Sequence, residues 1–191
     1  MLRLSLLVLL SILSTWGWTQ SLVVSTHPIY LIAKEVTDGV EEPVLLLGDQ
    51  TGHDVQLTPA HRKAIQDASL VLWLGKVHEA PLDKLLNQNR KAIALLDSGI
   101  LTTLPQRNLR GAALSNTVDS HVWLDPNNAV RIAFFIATLR SQQYPENKAK
   151  YLANAKDFAQ QMLQASQQYE SSSKSKPYWS YHDAYQYLER A

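Results

Sequence analysis

Three histidines occupy equivalent places along this 191-residue chain. His53 lies six residues before Pro59, His121 lies five before Pro126, and His182 directly follows a stretch that reads as a strand and precedes a helix opened by Asp183. Each should emerge at a strand's end just ahead of a helix, the rim on which open α/β sheets bind ligands. Three imidazoles converging there would suit a borderline-soft divalent cation such as zinc. Their separations, 68 and 61 residues, match no sequence template, so on spacing alone a solvated loop histidine is the competing reading for each.

The elements that must carry them read as alternating short apolar runs and amphipathic stretches, the pattern of a parallel sheet covered by helices. Strands are predicted at Leu22 to Ser25, Pro43 to Leu47, Ser69 to Leu74 and Ala92 to Leu96. Helices fall between them: from Pro28 towards Thr37, from Pro59 to about Asp67 behind the N-cap Thr58, and from about Glu79 to Asn87. Residues Asp97 to Ser120 lack periodicity and read as a long loop. It leads into Val122-Trp123-Leu124, a short β-prone run, and then Asp125-Pro126, an N-cap followed by a first-turn proline. The helix after it, Asn127 to Arg140, places Val130, Phe134 and Ala137, with Phe135 and Leu139 beside them, on one apolar flank.

A second helix should start near Glu146, after the break at Tyr144-Pro145, and run to Ser171. Within it Tyr151, Ala155, Phe158, Met162, Ala165 and Tyr169 form one straight stripe, and its length would be roughly 38 Å at 1.5 Å per residue. That is either an ordinary surface helix or a rigid strut between two lobes. Beyond it come a polar linker, a strand from Pro177 to Tyr181 and a helix from Asp183 to Arg190, too little to make a core alone. The expected organisation is thus a leader over 1–20, an α/β lobe with a four-stranded parallel sheet over 21–143, a long helix over 144–172, and the incomplete start of a second α/β lobe over 173–191.

Arg3 followed by the ten-residue run Leu4 to Leu13 reads as a signal peptide, since the run is too short to cross a bilayer as a helix. The expected cut lies between Trp16 and Ser21, with an uncleaved anchor as the alternative. The chain has no cysteine, so an exported protein of this kind must be held together by its core. Without the leader, 17 basic face 17 acidic residues with neither sign clustered, which gives no electrostatic case for nucleic acid or an anionic membrane surface.

Four local motifs sharpen this reading. Gly52-His53-Asp54 with Thr58-Pro59, then Ala68-Ser69-Leu70-Val71-Leu72-Trp73-Leu74-Gly75, then His121-Val122-Trp123-Leu124-Asp125-Pro126, then Tyr181-His182-Asp183-Ala184-Tyr185 occur in this order. Together they resemble the periplasmic solute-binding proteins of zinc ABC transporters, of the metal-binding cluster A-I type, from about Leu22 to the end of the chain. The resemblance implies a two-lobed, monomeric, non-enzymatic protein that binds the metal in the cleft between lobes and delivers it to a membrane permease. By position it makes His53, His121 and His182 the metal ligands. Manganese-selective relatives tend to carry Glu at the third place, so His182 favours Zn²⁺ over Mn²⁺. Neutral imidazoles are needed, so affinity should fall below about pH 6.5.

The chain also departs from that family. The loop Asp97 to Ser120 has no histidine, where zinc relatives often carry a His-rich, acidic insert; Gly52 stands where some relatives have a carboxylate; and relatives continue with a full second lobe. Of the other polar residues, His27 ends the first strand near the expected cleft and is a lesser ligand candidate. His61 reads as part of a solvated face, and Glu79, after His78, as a first-turn acid. Asp54, Asp125 and Asp183 are candidates to orient the histidines, though N-capping accounts for the latter two. Two functions compete with capture of periplasmic Zn²⁺: a secreted zinc hydrolase, which lacks the H-E-x-x-H pair of one major class, and a non-functional fragment of a zinc-binding protein.

Overall fold

The computed structural model describes residues 21–48, 50, 55–172 and 179–190. The expected leader, the motif Gly52-His53-Asp54, and Pro177 with the start of its expected strand lie outside the described residues.

Four short strands build the predicted parallel sheet: β1 (Leu22–Val24), β2 (Val44–Leu45), β3 (Leu70–Trp73) and β4 (Ala92–Ala94), in the order β2-β1-β3-β4. Val23 pairs with Val44 and Val71, and Leu72 with Ile93. The central strands are apolar at every position because both faces are covered, as parallel sheets require. Leu22, Val24, Leu70 and Leu72 point into one core with helices α1 (His27–Thr37), α4 (Pro126–Gln143) and α5 (Lys148–Ser172). Val23, Val71 and Trp73 point into the other, with Ile65 of α2 (Pro59–Asp67) and with Leu82 and Leu86 at α3 (Asp83–Leu86).

Helix starts agree with their caps. Thr58 accepts from the His61 N–H, and the His61 ring accepts in return from the Thr58 N–H, so His61 closes a capping box and is not just part of a solvated face. Asp125 accepts from Asn127 and Asn128 and starts α4 as its Asp-Pro pair predicts. The buried face of α4 differs from the expected one. It is made of Ala129, Ile132, Ala133, Ile136 and Ala137, with Val130, Phe134, Phe135 and Leu139 only half-buried. The reason is that α4 is wedged between α1 and α5, where small side chains permit close approach and bulky ones fit only at the flanks. Arg140, fully buried, anchors this layer with both sides of its guanidinium on the Glu41 carboxylate, while Tyr151 of α5 donates to the same carboxylate.

Helix α5 has the predicted stripe, but only its first half is used. Tyr151 and Ala155 are buried, Phe158 and Met162 half-buried, and Ala165 and Tyr169 exposed. Two strand expectations fail. Val122–Leu124 is a turn of 3-10 helix, because the Asp119 side chain takes the His121 N–H and folds the chain there, and three apolar residues alone do not separate strand from helical turn. Trp179 to Tyr181 is irregular and its aromatic rings are exposed, and the last helix, α6 (Gln186–Arg190), begins three residues later than Asp183 suggests.

Candidate metal centre

The loop 97–120 is less shapeless than its composition implies. It doubles back through isolated antiparallel bridges, Leu104 with Asp119 and Arg107 with Ala113, and so brings Asp119 back beside the start of the loop just before His121. Immediately after His121, the 3-10 turn Val122–Leu124 and the cap of α4 fix the backbone. His121 is held from both sides as a result. Its ring packs edge-on against Trp123 and His78, with centroids 5.3 and 6.0 Å away. His78 is itself buried, its Nδ1 2.8 Å from the Ser120 hydroxyl.

Asp119 supplies the electrostatics. Its Oδ1 accepts from the His121 ring Nδ1 at 2.6 Å and from the His121 N–H at 3.0 Å. Burial opposes ionisation of this carboxyl, but the hydrogen bonds from His121 and Gln186 outweigh burial and hold it below the usual carboxylate range. An ionised carboxylate only accepts, so Nδ1 carries a proton, and in the neutral tautomer this leaves the lone pair outward on Nε2.

That lone pair faces His182. The two Nε2 atoms are 3.1 Å apart and the rings meet edge-on at 4.9 Å between centroids. Two nitrogens bound at about 2.05 Å to a tetrahedral zinc ion stand about 3.3 Å apart, so the observed separation is close to that of two ligands of one metal. The pair opens into a cleft of about 200 Å³ that also borders Ser120, Arg107 and Asp183.

Of the three sequence-predicted ligands, the structure thus brings His121 and His182 together, while His53 lies outside the described residues. Among the described residues no group of three potential ligands forms a metal-sized cluster. His27 is exposed and stacks on Tyr30. Neither of the described carboxylates expected to orient the histidines does so: Asp125 caps α4, and Asp183 pairs with Arg107. Asp119 does it instead, a residue that sequence alone places within an aperiodic loop; its one signal is an Asp two residues ahead of a candidate ligand. Glu79 is no first-turn acid. It is fully buried and accepts the Leu74 and Gly75 N–H groups, and burial pushes its carboxyl up to about 7.

Comparison with known proteins identifies the family and the fold. Residues 22–191 match the family model described as ZnuA, zinc-uptake complex component A, periplasmic. The high-affinity zinc uptake system protein ZnuA of Brucella abortus (strain 2308) is 28% identical over 216 residues, covering 91% of this chain and 65% of its own. The protein of the same name from Yersinia pestis is 31% identical over 196 residues, covering 88% and 62%. The chain therefore spans under two thirds of the length of these relatives. Among solved structures, AdcAII of Streptococcus pneumoniae superposes with a TM-score of 0.71 at 24% identity over 91% of this chain and 65% of that one. A crystal structure of ZnuA gives 0.75 at 22% identity over 90% and 68%. At these identities the structural likeness speaks for the fold.

Proposed function

The chain belongs to the ZnuA family of periplasmic zinc-uptake components, and from that membership we propose that it captures Zn²⁺ outside the cytoplasm and hands it to the membrane permease of an ABC transporter. The observation that carries the proposal is the His121–His182 pair, two imidazole nitrogens at metal-sharing distance, one of them oriented by a buried carboxylate. In this reading His121 and His182 are two ligands and His53 the third, the leader 1–20 directs export, and the chain works as a monomer. Residues 21–143 form the metal-binding lobe, 144–172 the linking helix and 173–191 the start of a second lobe. In this reading the role is cargo binding and not catalysis, which the names of the family's relatives, given for zinc uptake, support.

Imidazole is a borderline donor that suits Zn²⁺ better than Mn²⁺, which prefers harder oxygen ligands. A calorimetric titration of the chain from Ser21 onward with Zn²⁺ and with Mn²⁺, beside His121→Ala, tests the reading. One zinc site, abolished by the substitution and weak for manganese, is the expected result. Zinc binding unchanged by His121→Ala would overturn it.

A further inference from the structure

Asp119 has two carboxylate oxygens, and they serve different parts of the chain. Oδ1 takes the His121 ring, while Oδ2 accepts from the Gln186 side chain at 2.5 Å. The same Gln186 nitrogen also donates to the Pro105 carbonyl at 2.9 Å. One residue on, the Tyr187 hydroxyl donates to the Asp119 carbonyl at 2.7 Å and accepts the Leu104 N–H at 2.8 Å. Gln186 and Tyr187 are the buried residues of α6, a helix of five residues that is too short to hold itself in place. His182 lies four residues upstream, exposed, and joined to α6 by an irregular stretch. Its position beside His121 therefore depends on where Gln186 and Tyr187 dock.

We propose that Gln186 is a positioning residue for metal capture: by binding the Asp119 oxygen that His121 leaves over, it holds His182 against His121. This rests on the proposed zinc-binding function. One buried carboxylate then orients one ligand and docks the segment that carries the other, so segment docking and metal binding stabilise each other. A ligand placed before the metal arrives costs less order on binding, which is how preorganisation raises affinity. The Arg107 contacts to Asp183 and Glu189 add to the docking but are partly exposed, so they contribute less.

The test is a four-way comparison of Zn²⁺ affinity, by competition with a chromophoric chelator, in the exported chain, Gln186→Ala, His182→Ala and the double variant. Removing a residue that orients a ligand typically costs about 10–100-fold in metal affinity, and that loss is expected for Gln186→Ala. In the His182→Ala background the same change should cost several-fold less, since the ligand that the docked segment carries is gone and only the Asp119 contact remains to be lost. Amide exchange of the metal-free protein gives a second reading: Leu104 should lose protection in Gln186→Ala while Val71 and Leu72 of the sheet keep theirs. Should Gln186→Ala unfold the sheet, Gln186→Leu keeps the bulk without the hydrogen bond and is read in the same way. An equal loss of affinity in both backgrounds, or no loss at all, overturns the proposal while leaving zinc binding intact. A parent chain that binds no zinc overturns the underlying reading, and this one with it.

Discussion

The Nε2 atom of His121 lies 3.1 Å from that of His182, across 61 residues of sequence. With a proton on His121 Nδ1 facing Asp119, the lone pair of the neutral ring lies towards the second ring at hydrogen-bonding distance. A proton or a metal cation can lie between them. In the proposed function a metal cation takes that place, and the cleft beside the pair has room for further ligands.

Removing the carboxylate should loosen this site without dismantling it. In Asp119→Ala the His121 ring loses the acceptor that fixes its tautomer, and zinc affinity should drop by about 10–100-fold. Asp119→Asn keeps an oxygen that can accept from Nδ1 and should lose less. Chelator competition on both variants measures the difference, and equal affinity across all three proteins would show that Asp119 does not orient the ligand.

How far the sequence reveals this arrangement depends on whether the signal is local. The sheet is legible because short runs apolar at consecutive positions, Leu22–Val24 and Leu70–Trp73, alternate with amphipathic stretches, the pattern of a parallel sheet covered on both faces. Helix starts at Thr58-Pro59 and Asp125-Pro126 are legible because caps act within one turn. The face of α4 is not, since it depends on α1 and α5 packing from two sides. Nor are the partners of His121: Gln186 and Tyr187 reach Asp119 from 67 and 68 residues away, and no spacing announces such a contact. Val122–Leu124 misleads for a related reason, its strand-like composition being overruled by a side-chain hydrogen bond to the preceding backbone.

The pair of fully buried Arg140 and half-buried Glu41 should matter more to stability than to the site. Arg140 is fully buried, binds the Glu41 carboxylate with two nitrogens and lies 4.5 Å over the Tyr144 ring. In Glu41→Ala the guanidinium stays in the core without its carboxylate, and Tyr151 loses its acceptor as well. A loss of about 3–5 kcal/mol is expected from urea unfolding. Zinc stoichiometry of the folded fraction should be unchanged, and a loss below about 1 kcal/mol would mean that water reaches the charge.

A smaller loss should come from the N-terminus of α4. Asp125 accepts from two N–H groups there, and Asp125→Ala leaves both without a side-chain partner. About 1 kcal/mol of stability should be lost. Because the 3-10 turn before the cap carries Trp123, which packs on His121, a modest weakening of zinc binding should accompany it. Thermal unfolding and the chelator assay, run on one preparation, separate the two effects.

Glu79 should give the protein a pH dependence opposite in sign to that of an ordinary salt-bridged acid. Burial is the chief cause of its raised value, about 7, and the N–H groups of Leu74 and Gly75 together with the nearby Ser25 hydroxyl only partly offset it. Its Oε1, and the hydroxyls of Ser25 and Thr26, lie buried without a hydrogen bond of good geometry, so the protonated acid is the form that suits this pocket. A carboxyl whose value is raised on folding stabilises the fold fully below its unfolded value of about 4.5, and that contribution is lost as pH rises through about 7. The loss is of the order of 3 kcal/mol. Glu79→Gln, which stays neutral at every pH and can still accept from Leu74 and Gly75, should remove this slope. The stability of the variant relative to the parent should therefore rise between pH 4.5 and 8 in urea unfolding of the metal-free protein. Parallel stability curves over that range would show that Glu79 ionises at its ordinary value and that water enters beside Ser25.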